Sequence, residues 1–262
     1  MNDNEKIGNL IFDISLKCEE ILKKEISPKS VDEEATLVAY YLSVIEYSKS
    51  TGILVKENKL LPLPHICRST LEAVVDILNL CKDLDYYYVL RKISLEGNKK
   101  RFESWYENDS NPFHPEIEKL PIGFKDAQKG IKISLKELND SLKLKFRKDI
   151  TDTKARFEEA ELLPFYESIF WQTSSDIHND LSHIWNRHIE EINGKVVFHT
   201  SPKDGLKKYS PHINLIINLL ITGLISIYNR YKEENFNKYL LELEVLRQKI
   251  ESLTSFPSPV AE

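Results

Sequence analysis

The chain has 262 residues, of which 41% are hydrophobic and 29% charged, a composition typical of a folded globular protein and not of a disordered one. The formal net charge of -5 excludes a general electrostatic affinity for nucleic acids or anionic membranes. Only 8 glycines occur, too few for the many tight turns of a β-sandwich or barrel. These features favour an all-α protein.

Hydrophobic periodicity predicts eight helices in chain order. A capping box, SVDE at 30–33, opens the second helix, and two prolines open the third. The stretch KVVFHT at 195–200 is the one strand-like segment, and it lies in a long connection, 189–210, as a short hairpin or an ordered loop. The predicted helices cover about residues 5–24, 31–50, 63–82, 84–107, 123–148, 164–185, 211–232 and 235–253.

These elements predict a single multi-helix bundle of seven to eight helices. We expect one domain over residues 1–254 and a flexible tail at 255–262. The proline-bearing connector at 108–123 leaves a division into two subdomains open.

The segment HINLIINLLITGLISIY (212–228) is the best candidate for a membrane span. It is shorter than the about 20 apolar residues that a span requires. A polar residue also recurs at every fourth position, which predicts a helix buried at the centre of a bundle in a soluble protein. We therefore expect no membrane partner. The polar residues are Asn214, Asn218, Thr222 and Ser226.

The amino-terminal residues and the cysteines indicate the compartment. MNDNEK has no basic region followed by an apolar one, so we expect no secretory signal. Cys18, Cys67 and Cys81 are odd in number and lack a CxxC pair, which indicates reduced thiols. We expect a cytoplasmic protein.

The sixth predicted helix carries the stretch SSDIHNDLSHIWNRH at 174–188. At about 100° per residue, Ser174 and His178 lie on one flank of its apolar face. An imidazole at such a border suits general acid–base chemistry or hydrogen-bonded recognition. The alternative is a histidine that bonds a neighbouring backbone group at the edge of the core.

The opposite flank carries Asp176, Asp180 and His183, at spacings that allow a shared metal ion. Sets of this kind are common on solvated helix faces. We therefore predict no metal and no cofactor.

Arg68 and Glu72 lie four residues apart in a narrow polar sector of the third helix, so their side chains can form an ion pair. The rest of that helix is apolar, which predicts that the pair is partly shielded from water. Such a pair either fixes the packing of helices or lines a cleft.

The fifth helix carries a basic stripe on the side opposite its apolar residues. The stripe either follows the phosphates of an RNA or is a solvated helix face. Exposed aromatic residues do not alternate with it, so stacking on single-stranded bases is not indicated. The stripe consists of Lys125, Lys129, Lys132, Lys136, Lys143 and Arg147.

Two segments carry a family resemblance: HICRSTLEAVVDIL, with Arg68-Ser69-x-x-Glu72, and YESIFWQTSSDIHNDLS, with Ser174 and His178. They resemble a family of uncharacterised bacterial helical proteins with an Arg-Ser-x-x-Glu helix and a later Ser-x-x-x-His helix, over roughly residues 35–185. Such families are likened to HEPN domains, many of which are metal-independent ribonucleases in toxin–antitoxin and phage-defence systems. The HEPN signature itself, an Arg followed four to six residues later by a His, does not occur here.

The resemblance implies a bacterial effector or sensor in phage defence or stress response that acts on RNA or a nucleotide. Arg68, Glu72 and His178 would then be catalytic, and Ser174 with Lys125, Lys129, Lys132 and Lys136 would bind the substrate. The alternative is a non-catalytic module that binds a protein partner or forms a homodimer, with Arg68 and Glu72 as a packing pair. Convergence of the three residues in an open pocket favours the first hypothesis, and their burial as a satisfied network favours the second. Whether the chain is an enzyme stays open.

Overall fold

The computed structural model describes residues 2–106, 124–145, 150–177, 185, 188–199, 205–231 and 236–255. Within these residues the chain is a helical bundle with one two-stranded sheet, so the predicted all-α fold is confirmed. The predicted connector at 108–123 and most of the predicted tail lie outside the described residues.

The elements follow one another in this order: α1 (Asp3–Glu25), α2 (Glu33–Lys56), α3 (Leu63–Lys82), α4 (Tyr86–Tyr106), α5 (Phe124–Lys145), α6 (Thr153–Glu159), α7 (Leu163–Phe165), a π-helical turn (Tyr166–Phe170), α8 (Trp171–Ile177), β1 (Ile189–Ile192), β2 (Lys195–Phe198), α9 (Gly205–Tyr231) and α10 (Phe236–Thr254). Helix α7, the π-helical turn and α8 form one continuous helical segment.

Local hydrogen bonds explain where the helix ends differ from prediction. The Ser30 hydroxyl accepts the Glu34 amide at 3.0 Å and the Glu34 carboxylate accepts the Lys29 amide, so the predicted capping box uses Glu34 and not Glu33. Helix α9 begins at Gly205, ahead of Pro211. It continues through the proline because the Ser210 hydroxyl donates to the Lys207 carbonyl at 2.9 Å, in place of the amide that proline lacks.

The strand-like segment is a hairpin, one of the two predicted outcomes. Strands β1 and β2 pair antiparallel with Ile192 opposite Lys195. Asn193 and Gly194 form the turn between them with φ values of 53° and 73°. Positive φ at both positions is typical of a type I′ turn, which matches the twist of the two strands.

Helix α9 packs against α1, α2, α3 and α10. Among the described residues it is the one helix whose length and composition would allow it to cross a membrane, and 56% of its apolar window is buried in the bundle. Asn218 and Thr222 are exposed, whereas Ile217 and Leu224 are buried. The polar stripe thus marks an open side of α9, whose apolar sides pack against four other helices.

Helices α1 and α2 touch through their backbones. A Cβ atom on Gly8 would lie 2.6 Å from the Gly52 carbonyl oxygen, and a Cβ atom on Gly52 would lie 2.8 Å from the Gly8 oxygen. The Ser15 and Ser48 hydroxyls, 2.8 Å apart and fully buried, bond across the same interface. Only glycine at both crossing positions allows this approach.

We expect Gly52→Ala to lower the free energy of unfolding by about 1–3 kcal/mol, because the added methyl group separates the two backbones. Gly97→Ala is the matched control, since a Cβ atom there would meet nothing within 4 Å. It should leave stability unchanged or raise it by up to about 1 kcal/mol, the cost of glycine in a helix. Urea denaturation measures both, and equal effects of the two substitutions would contradict the backbone contact.

A pH-dependent ion pair joins α1 and α2. The Glu19 carboxylate accepts hydrogen bonds from Lys23 and, at 2.6 Å, from Lys49 of α2. These bonds lower the pKa of Glu19 to about 2, below its ordinary value of 4.5. A carboxyl whose pKa falls on folding contributes stability above its unfolded pKa, and this contribution is lost as pH falls through the folded pKa.

Glu19→Gln should therefore flatten the dependence of the urea midpoint on pH between about 4.5 and about 2. Glu57→Gln, at the exposed carboxy-terminal end of α2, should leave the wild-type slope in place. A slope in Glu19→Gln equal to that of the wild type would show that Glu19 is not linked to folding.

Candidate functional site

The Arg68 guanidinium is held by three groups. Its Nε donates to Glu72 Oε1 at 2.9 Å, and its Nη1 donates to Ser174 Oγ at 2.7 Å. Its Cζ lies 4.2 Å from the centroid of the Phe170 ring, a cation–π contact. Nη2 makes no hydrogen bond to any described residue, and the side chain is 22% exposed. Arg68 is therefore oriented and still has a donor for a ligand.

The π-helical turn brings Phe170 and Ser174 to Arg68. A π-helical turn places one more residue in the turn than an α-helix does, so it rotates the residues that follow. The Tyr166 and Phe170 rings stack at 5.0 Å, and Phe157 of α6 lies 5.5 Å from Phe170. Ser174 is 8% exposed. The aromatic cluster thus supports the side of the site opposite α3.

A second, more deeply buried ion pair joins Asp76 of α3 to Arg156 of α6. The Arg156 Nε and Nη2 atoms donate to the two oxygens of Asp76, and the Tyr86 hydroxyl donates to Asp76 Oδ1 at 2.8 Å. Asn79 Nδ2 donates to the Arg156 carbonyl at 3.0 Å. Asp76 is 3% exposed. Burial raises the pKa of the Asp76 carboxyl and the Arg156 guanidinium opposes that rise, so a fork-shaped pair compensates the buried charge.

Glu72 of the first ion pair and both residues of the second line an open cleft of about 410 Å³ between α2, α3, α4 and α6. Its surface is about equally polar and apolar, with apolar side chains from α3 and α4. Glu72 lines the cleft and also bonds Arg68, so it connects the cleft to the Arg68 cluster. The lining includes Tyr40, Ser43 and Tyr47 of α2, Ser69, Glu72, Ala73 and Asp76 of α3, Leu90, Ile93 and Ser94 of α4, and Arg156 of α6.

The structure brings three of the predicted site residues together: Arg68, Glu72 and Ser174. The predicted ion pair between Arg68 and Glu72 is present. His178 lies outside the described residues. Convergence of Arg68, Glu72 and His178 in one pocket therefore stays a prediction, and of the two described residues Glu72 is the one that lines the cleft.

The basic stripe lies elsewhere. Lys129, Lys132 and Lys136 are exposed on α5, which packs against α4. Lys132 and Lys136 line a groove of about 740 Å³ that also contains Glu96 and Glu103 of α4. These α4 residues and the cleft residues of α4 lie about 120° apart around that helix. The stripe therefore does not join the Arg68 site, and its groove is mixed in charge.

Three stripe residues give no further information, because the side chain of Lys125, the side chain of Lys143 and Arg147 lie outside what the structure describes. The same holds for the alternative metal set, since Asp180, His183 and the side chain of Asp176 are not described. In the described part of the chain, no group of three or more His, Cys, Asp or Glu side chains is placed to hold a metal ion.

The three cysteines are free thiols, as predicted. Cys18 and Cys67 are buried and Cys81 is half-buried. Burial raises the pKa of each thiol to about 12. They are therefore protonated and unreactive at neutral pH.

Sequence reasoning missed Arg156 because it missed α6, a helix of 7 residues. Two signals were present. Asp152 caps the helix by accepting the Ala155 amide at 3.0 Å, and an aspartate such as Asp76 on a largely apolar helix requires a buried partner. Tyr40 and Tyr47 were missed because nothing in the sequence shows which helix α2 faces.

The fold and the site define an all-α protein with a cleft between helices and an oriented arginine that bonds the cleft residue Glu72. The chain belongs to a family of unknown function (DUF5677), whose model matches residues 34–196. That range contains every residue of the cleft and of the Arg68 cluster. Searches of the curated proteins and of the solved structures found no match.

We expect Asp76→Ala to lower the free energy of unfolding by about 3–5 kcal/mol, because it leaves the Arg156 guanidinium buried without its partner. Asp13→Ala, at an exposed position of α1, is the control and should stay within about 0.5 kcal/mol of the wild type. Chemical denaturation measures both. Similar effects of the two substitutions would show that the Asp76–Arg156 pair does not anchor α6.

Proposed function

We propose that the chain acts on RNA or a nucleotide at the cleft, with Arg68 and Glu72 as functional groups. The observation that carries this proposal is the arrangement of Arg68, which Glu72, Ser174 and Phe170 orient next to a cleft that Glu72 lines. A fork-shaped guanidinium with one unused nitrogen is well suited to bind a phosphate oxygen.

The proposed reaction is metal-independent cleavage of a phosphodiester. His178 takes the proton of a ribose 2′-hydroxyl, and the 2′-oxygen forms a bond to phosphorus. The bond from phosphorus to the 5′-oxygen breaks, and that oxygen takes a proton from water. Arg68 stabilises the negative charge that develops on the phosphate oxygens. Ser174 and Glu72 hold Arg68 in position.

The cellular role in this proposal is that of a cytoplasmic bacterial effector or sensor in phage defence or stress response. It is supported by the resemblance of the Arg-Ser-x-x-Glu and Ser-x-x-x-His segments to uncharacterised bacterial helical proteins likened to HEPN domains.

The hairpin supports a second candidate function, a non-catalytic module that binds a protein partner or a second copy of the chain. Ile192, Val196 and Phe198 are 46%, 56% and 75% exposed. Val196 and Phe198 share one face of the hairpin and Ile192 lies on the other. A two-stranded hairpin is marginally stable alone, and exposed apolar groups on it often mark interaction sites.

Degradation of single-stranded RNA by the purified chain tests the first proposal. The wild type should degrade RNA with EDTA present. Arg68→Lys keeps the charge but loses the fork, and it should slow degradation at least about 100-fold, as should His178→Ala. Arg91→Lys, at an exposed position of α4, should degrade RNA at the wild-type rate, and circular dichroism should show that every variant is folded.

Three results would overturn the proposal as stated. Degradation abolished by EDTA would direct attention to Asp176, Asp180 and His183. An unchanged rate in Arg68→Lys would remove Arg68 from the chemistry. A folded wild-type chain that neither binds nor degrades RNA would favour the interaction module.

A further inference from the structure

The cleft has the chemistry of a site for a base and not for a phosphate. Building on the proposed function, we infer that the cleft binds the nucleobase of the substrate and that Glu72 selects guanine. The phosphate then lies outside the cleft, at Arg68. This inference names the part of the nucleotide that enters the cleft and the residue that reads it.

The charges in the cleft exclude a phosphate from its interior. Asp76 and Arg156 both line the cleft, but they neutralise each other through two hydrogen bonds. Among the described residues that line the cleft, Glu72 is the remaining charged group, and its partner Arg68 is not part of the lining. A phosphate inside would be repelled by this carboxylate, whereas a neutral base that presents N–H groups would be attracted to it.

Unused hydroxyl groups in the cleft are available to a polar ligand. Those of Tyr40, Tyr47 and Ser69 line it, and none makes a hydrogen bond to the part of the chain that the structure describes. Elsewhere in the bundle, hydroxyls of helical residues such as Ser15 and Thr70 donate to the carbonyl four residues earlier. The cleft therefore presents hydrogen-bonding groups that the fold does not use.

The apolar part of the lining suits a flat ring. Ala73, Leu90 and Ile93 line the cleft together with the two tyrosines. The faces of a base can therefore contact aromatic or aliphatic groups while its edge meets polar side chains. Single-stranded bases are bound in this way in RNA-binding proteins, by stacking and by hydrogen bonds to the Watson–Crick edge. A volume of about 410 Å³ is within the range of small-molecule sites.

Glu72 provides the discrimination between bases. Its Oε1 accepts from Arg68, and its Oε2 accepts no hydrogen bond from a described residue. An ionised carboxylate only accepts hydrogen bonds. Guanine presents two adjacent donors on its Watson–Crick edge, N1–H and the N2 amino group. Adenine presents its amino group beside the N1 lone pair, which a carboxylate repels, so Glu72 favours guanine.

Titration calorimetry with guanosine 5′-monophosphate and adenosine 5′-monophosphate tests this inference. The wild type should bind the guanosine nucleotide at least about tenfold more tightly, since hydrogen bonds to a charged group are strong. Glu72→Gln should weaken guanosine binding at least about tenfold and change adenosine binding much less, because an amide can donate to adenine N1. Glu96→Gln, on another side of α4, should keep the wild-type preference.

A second variant does not disturb the Arg68 cluster. Ser94 is exposed and lines the cleft, so Ser94→Trp should fill the cleft and abolish binding of both nucleotides while the chain stays folded. Unchanged binding in Ser94→Trp would show that the nucleotide lies elsewhere. Equal losses for both nucleotides in Glu72→Gln would show that Glu72 positions Arg68 and does not read the base.

The outcomes separate the two proposals. If the chain degrades RNA and binds the two nucleotides equally, the guanine inference fails and the proposed function stands. If it binds neither nucleotide and does not act on RNA, both fail. A guanosine preference that depends on Glu72 supports the inference, whatever the rate of degradation.

Discussion

The ion pair between Asp76 and Arg156 holds the candidate site together. Arg156 lies on α6, a helix of 7 residues, which is too short to be stable by itself. The Arg156 guanidinium binds the Asp76 carboxylate of α3. Asn79, also on α3, donates a hydrogen bond to the Arg156 backbone carbonyl. Because α6 leads into the helical segment that carries Phe170 and Ser174, the pair also sets how those residues reach Arg68. One buried contact thus organises both the cleft and the Arg68 cluster next to Glu72.

Helix α3 supplies the polar groups to which the rest of the site is attached. Arg68, Glu72 and Asp76 follow one another at every fourth position and form a single polar edge on an otherwise buried helix. Each of the two ends of this edge has a partner from a distant part of the chain, Ser174 for Arg68 and Arg156 for Asp76. Glu72 lies between them, and its Oε2 atom accepts no hydrogen bond from a described residue. A rigid buried scaffold therefore positions a partly exposed carboxylate.

The sequence was sufficient for α3 and its polar edge, because a long helix with a narrow polar sector has a strong periodic signal. It was not sufficient for α6, which is shorter than the window over which periodicity can be measured. The π-helical turn also escaped prediction, because a helical wheel assumes a constant rotation per residue. Long-range pairings such as Asp76 with Arg156 depend on how helices pack. The sequence predicted that the lysines of α5 share a face. It did not predict where that face lies relative to Arg68, because this also depends on how the helices pack.

Helix α4 borders two cavities that contain residues of the predicted site, Glu72 in the cleft and Lys132 and Lys136 in the groove. Leu90 and Ile93 face the cleft beside α3, and Glu96 and Glu103 face the groove beside α5. The two spaces therefore share a wall. A shift or rotation of this one helix would change the shape of both, so the geometry of the cleft and that of the groove are mechanically linked through α4.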